Sequence, residues 1–92
     1  MARMVLRLIA LVVLVLLTAT AAVPAYADYE QGLRHYEAKR YFQAIDNFTL
    51  MAARGHSGSE FMMGVMYFYG NGVRRDSGIA AVWFHKSALK GH

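Results

Sequence analysis

The chain has 92 residues and a formal charge of +4, room for one small domain. It has no cysteine, which excludes disulfide frameworks, thiolate nucleophiles, thiolate metal sites and a lipid-modified N-terminal cysteine. Setting aside Arg3 and Arg7 of the leader, eight basic and six acidic side chains remain, and only Lys39-Arg40 and Arg74-Arg75 are adjacent basic pairs; a nucleic-acid footprint needs its cations gathered on one face, so no nucleic acid is expected as partner.

Residues 1–27 read as a signal peptide. Arg3 and Arg7 precede an uncharged, mostly apolar run of 16 residues, Leu8 to Val23, and Pro24-Ala25-Tyr26-Ala27 supplies an Ala-x-Ala end. Cleavage is expected after Ala27. The run falls short of the roughly 20 residues that span a bilayer, and Pro24 breaks the helix near the cleavage site. The alternative is an uncleaved leader anchoring the chain in the inner membrane, the one membrane contact expected. The mature chain, 28–92, is expected in a periplasm or outside the cell.

Proline is absent after Pro24, β-branched residues are sparse, and nothing alternates with period two. Four helical segments fit. The first, 28–39, has Asp28 and Gln31 as a capping pair and a narrow stripe of Tyr29, Leu33 and Tyr36. The second, 42–54, buries Ala44, Ile45, Phe48, Met51 and Ala52 and ends at Gly55. The third, 57–69, opens on a Ser57-Gly-Ser-Glu60 capping pattern and is apolar on all sides from Phe61 to Tyr69. Gly64 within it invites close approach of another helix. Gly70-Asn71-Gly72 then supplies residues tolerant of positive φ, and Val73 turns back to the core. Asp76 or Ser77 caps the fourth segment, 77–90, which faces inward through Ala80, Trp83, Phe84, Ser87 and Ala88.

The segments repeat. Gly55-His56 aligns with Gly91-His92, and at the same offset Ala44, Phe48, Ala52 and Arg54 meet Ala80, Phe84, Ala88 and Lys90. Aligning Gly32 with Gly64 pairs Tyr29, Leu33 and Tyr36 with Phe61, Val65 and Phe68. Two helix pairs of one period predict an all-α fold, a short α-solenoid of two antiparallel pairs.

Met63-Gly64-x-x-Tyr67-x-x-Gly70-x-Gly72-Val73-x-x-Asp76-x-x-x-Ala80-x-x-Trp83-Phe84-x-Lys86-Ser87-Ala88-x-x-Gly91 resembles the Sel-one-like repeat (SLR), a relative of the tetratricopeptide repeat. The likeness covers one full unit, 57–92; residues 28–56 resemble a shorter tetratricopeptide-like unit. Met63 replaces the usual Leu, Ser57 and Ser59 replace Ala, and Ser87 replaces the first Ala of the closing pair. The resemblance implies a right-handed array of helix pairs that binds proteins as a scaffold, often in bacterial envelopes, and it does not imply catalysis. It gives Gly64, Tyr67, Gly70, Gly72, Val73, Asp76, Ala80, Trp83, Ala88 and Gly91 structural roles.

No catalytic residue, metal ligand or cofactor is expected. His35, His56, His85 and His92 include no i, i+3 or i, i+4 pair, and His56 and His92 share one repeat position after a glycine. Ser57, Ser59, Ser77 and Ser87 are accounted for by capping or packing. Asn47-Phe48-Thr49 fits a glycosylation acceptor but lies inside a helix.

A solenoid of two pairs is short of the roughly three repeats such arrays use. Ile79, Val82 and Leu89 point away from the inward face of the last helix, and the third helix has more apolar faces than two pairs cover. The expected partner-binding side chains are therefore Phe61, Val65, Phe68, Tyr69, Val82 and Leu89. The cover is another copy bound through the last helix, a partner protein, or residues missing from a truncated chain. The function expected is an exported interaction or scaffold module; the alternatives are a small exported hydrolase of the SLR type and an inactive fragment.

Overall fold

The computed structural model describes residues 2–9 and 27–92. Most of the proposed signal peptide, including the apolar core 10–23 and Pro24, lies outside the described residues. Residues 2–9 form an exposed helix, α1. The others are α2 (Ala27–Glu37), α3 (Tyr41–Ala53), α4 (Ser57–Tyr69) and α5 (Ser77–Leu89). Among the described residues every regular element is a helix. Helix α2 packs on α3, α3 on α4, and α4 on α5, the order of a short α-solenoid.

Helix α3 buries Ala44, Phe48, Met51 and Ala52, positions i, i+4, i+7 and i+8 of a single stripe. Against it α4 sets Met62, Met63 and Met66, and these with Ala44, Phe48 and Ala52 make the buried cluster. The core therefore lies on the seam between the two pairs. Tyr29, Leu33 and Tyr36 of α2 and Trp83 of α5 close it from the sides. Three flexible thioethers fill a seam that small alanines leave irregular.

Three expected ends differ in detail. Helix α2 stops at Glu37, and Lys39 takes φ +61 without being glycine. Its amide reaches Tyr36 O at 3.0 Å and that of Arg40 reaches His35 O at 2.8 Å, so carbonyls freed at the helix end are satisfied. Gln31 does not pair with Asp28; its Oε1 accepts a 3.4 Å bond from Asn47 Nδ2 of α3. At α4 the cap is His56, whose Nδ1 accepts from the Ser59 amide at 3.1 Å, and Glu60 turns away from Ser57 altogether. The physical reason is the partner available to each side chain: a neighbouring helix offers Gln31 and Glu60 a bond that the local box would have supplied.

Candidate functional site

The two pairs are the same object in three dimensions. A Cβ on Gly32 would stand 2.7 Å from the Phe48 ring; a Cβ on Gly64 would stand 2.6 Å from the Phe84 ring. Tyr29 and Phe48 meet with centroids 6.0 Å apart at 53°, and Phe61 and Phe84 at 5.4 Å and 51°. Tyr29 meets His56 at 4.5 Å, and Phe61 meets His92 at 5.4 Å. The turn after each pair also repeats: Gly55 and Gly91 both have φ +80, and the His56 amide bonds Met51 O at 3.1 Å as that of His92 bonds Ser87 O at 3.3 Å.

The loop and caps of the second pair are built by the residues the motif marks. Gly70 ends α4 at φ +72, and Gly72 at φ +75 lies so close to α3 that an added Cβ would be 2.9 Å from Tyr41 O. Val73 is half-buried against the core. Asp76 caps α5, its Oδ1 accepting from the Ile79 amide at 2.9 Å. Ala80 is buried, Tyr67 and Trp83 are half-buried, and Gly64 receives the Phe84 ring. Gly91 continues the turn. Ala88 is exposed, whereas its counterpart Ala52 is only 6% exposed.

Sequence reasoning missed the polar tie between α4 and α5. Glu60 is 3% exposed, and both its oxygens accept from Lys90 Nζ at 2.9 Å. The same ammonium donates to Gly55 O at 3.0 Å, and Ser87 Oγ donates to Ser57 O at 2.8 Å. One lysine thus neutralises a buried carboxylate and caps an orphan carbonyl of the preceding turn. The only signal in the sequence was a Glu in an otherwise apolar helix.

The six proposed contact residues occupy two regions. Phe61, Phe68 and Tyr69 of α4 are exposed, Tyr69 by 65%, and Val65 between them is half-buried. Phe68 and Tyr69 stack edge-on, 5.1 Å apart. Val82 and Leu89 of α5 are exposed by 56% and 74%. Their counterparts one repeat earlier, Asp46 and Ala53, stay exposed although α4 is docked on that pair, so Val82 and Leu89 form an outward ridge.

The side chains on which α4 does sit have counterparts too. Phe48 is sealed, Phe84 half-open; Ala52 is covered, Ala88 open; Ile45 is half-buried, Ala81 exposed. The second pair therefore presents an unfilled copy of the α4 seat.

Among the described residues no three His, Asp or Glu side chains gather as a metal site, and no helix is long and apolar enough to cross a membrane. His35 Nδ1 accepts from Arg40 Nε at 3.0 Å, and His56 is occupied as a cap.

Residues 57–92 match the family model of the Sel1 repeat, the repeat that the Met63-to-Gly91 motif resembles. They hold α4, its loop and α5. Neither the curated proteins nor the solved structures contain a significant match to the chain.

Proposed function

We propose, from a Sel1 repeat whose helices leave large apolar side chains uncovered, that the chain is an exported protein-interaction module of the bacterial envelope. Sel1 repeats are in general interaction modules without catalysis. The observation that carries the reading is the contrast between core and surface. The interior holds two side chains of Phe or Met size with no exposure, Phe48 and Met66, while Phe61, Phe68, Tyr69, Ile79, Val82 and Leu89 stand open on two adjacent helices. Single exposed apolar residues are ordinary, but this many large ones grouped on two packed helices of a small domain support a binding surface. Asp76, Ser87, Glu60 and Lys90 of the second pair are engaged in caps and helix ties, and the open side chains beside them are apolar, which supports a surface that acts through apolar contact.

Export rests on the charged start, apolar run and Ala-x-Ala end of residues 1–27. Cell fractionation with intact-mass measurement tests it: a product beginning at Asp28 in the envelope fraction supports export, and an intact product in the cytoplasm refutes it. For the interaction, photo-crosslinking residues at Tyr69 and Val82 of the full chain should give discrete adducts in cells. Uncrosslinked monomer at both positions would refute the interaction reading.

A further inference from the structure

We propose that one end of the helix stack rests on an anionic lipid bilayer, with its cations against headgroup phosphates and its aromatic rings at the edge of the acyl region. The end is the one built by the α2–α3 turn and the α4–α5 loop. The contact is separate from a protein-binding surface on α5: Phe68 and Tyr69 go to the bilayer, and Val82 and Leu89 remain for a protein.

The fold gathers what the sequence separates. Lys39-Arg40 and Arg74-Arg75 belong to different helix pairs, the first in the turn between α2 and α3, the second in the loop between α4 and α5. The two segments meet. A Cβ on Gly72 would stand 2.9 Å from the carbonyl oxygen of Tyr41, the residue after Arg40, and a Cβ on Gly70 would stand 3.0 Å from Arg75 Cβ. All four cations are exposed. Arg40 Nε donates to His35 Nδ1 at 3.0 Å and leaves its other donors to the solvent side. Among the described residues the one ion pair is Lys90 with Glu60, so none of the four is neutralised. Phe42 directly follows Tyr41 and Tyr69 directly precedes Gly70, and they are exposed by 74% and 65%.

Charge is uneven along the stack. At this end four cations face two carboxylates, Glu37 and Asp76, and Asp76 is engaged in capping α5. At the opposite end, where α2 and α4 begin and α3 and α5 finish, Asp28, Glu30 and Glu60 outnumber Arg54 and Lys90. An anionic surface therefore turns the loop end toward itself. Cations alone would suit any polyanion, and the rings choose among them. Phe42 and Tyr69 project from helix ends beside the cations, and the headgroup layer accommodates that combination of basic side chain and ring. A fluid bilayer conforms to side chains that stand out from turns, whereas a folded acidic protein would have to supply a shaped pocket for each. A nucleic acid would take free ring faces for its bases, but Phe68 and Tyr69 pack on each other edge-on, 5.1 Å apart at 88°.

The chain has no cysteine, so single labels can be placed cleanly. Ser77→Cys, exposed beside the loop, and Ala53→Cys, exposed at the opposite end, each carry an environment-sensitive fluorophore on the full chain. Vesicles of phosphatidylglycerol mixed with phosphatidylcholine are compared with phosphatidylcholine alone. The label at position 77 should shift to the blue on the anionic vesicles, far less on the neutral ones, and less again at high salt. The label at position 53 should shift less than that at 77. A leader held in the bilayer would draw the opposite end toward it, because α2 begins there, so an equal or larger shift at position 53 overturns the proposal. Arg74→Gln with Arg75→Gln should weaken the affinity read at position 77 about tenfold or more. Phe42→Ser with Tyr69→Ser, a second variant should the first lose its helices, should weaken it severalfold. Arg54→Gln, a cation at the other end, should leave it unchanged. Unchanged affinity in both loop-end variants overturns the proposal, as does an equal shift on neutral vesicles. A saturable shift at position 77 with polyglutamate or a single-stranded oligonucleotide, at the anion concentration that saturates with vesicles, overturns it in favour of a soluble polyanion. Crosslinking at Val82 is untouched by any of these results, so the protein-interaction reading stands or falls separately.

Discussion

Gly32→Ala and Gly64→Ala are the same substitution at equivalent positions and should have different signs. In both, a new methyl meets a phenylalanine ring, 2.7 Å from Phe48 Cε1 in one case and 2.6 Å from Phe84 Cε1 and Cδ1 in the other. Each also gains helix propensity, about 1 kcal/mol. What differs is where the ring can go. Phe48 has no exposure, sealed beneath α4, and the methyl on Gly32 would also press Asn47 Cβ at 3.1 Å. Overpacking a sealed site costs about 1–3 kcal/mol, so Gly32→Ala should be destabilising by up to about 2 kcal/mol after the propensity gain. Phe84 borders the open seat and can swing a few tenths of an ångström toward it. Its strain is then small, and Gly64→Ala should be neutral or stabilising by up to about 1 kcal/mol. The two variants should separate by about 1–2 kcal/mol, roughly 5–15 °C in melting midpoint for a domain of this size. Thermal melts of the full chain by far-ultraviolet circular dichroism measure it. Equal losses in the two variants would refute the reasoning, because they would mean that the Phe84 ring is as confined as that of Phe48.

Three further comparisons follow from the polar ties. Lys90→Met should cost about 1–3 kcal/mol, since it strands the buried Glu60 carboxylate, and adding Glu60→Gln should recover part of that; urea titrations of the double-mutant cycle show the recovery or its absence. The loss is smaller than for a fully buried pair because the Lys90 side chain is 43% exposed and solvent screens it. Asp76→Ala should lose the cap of α5 and about 1 kcal/mol, whereas Asp76→Asn should keep most of it, compared by thermal midpoint. His56→Ala removes both the α4 cap and the packing on Tyr29, about 1–2 kcal/mol, while His92→Ala, at an exposed counterpart, should change stability by less than about 0.5 kcal/mol in the same assay.

Much of this architecture is legible in the residue pattern because local and global preferences agree there. Helix α4 falls on Ser57–Tyr69 as expected, since Gly70 offers a left-handed residue where one is needed and His56 leaves the chain extended before the helix. The end of α2 was not legible: Lys39 adopts the left-handed conformation that a glycine would have announced, and the backbone bonds to Tyr36 and His35 hold it there. The capping patterns at Gln31 and Glu60 misled for a related reason. A side chain able to bond locally was claimed by a neighbouring helix, and which helix lies next to it is tertiary information. On α5 the pattern placed Ala88 in the inward face with Ala80 and Ser87, but its exposure is fixed by whether a helix sits beyond it. Periodicity reports which side of a helix is apolar and is silent on whether a cover is present.

That distinction shows in where the core lies. The buried cluster draws three residues from α3 and three from α4, so the first seat, once filled, supplies the main apolar core among the described residues. Neither pair has a comparable interior of its own: within α5 only Ala80 and Ser87 are buried, and Ser87 spends its hydroxyl on Ser57 O.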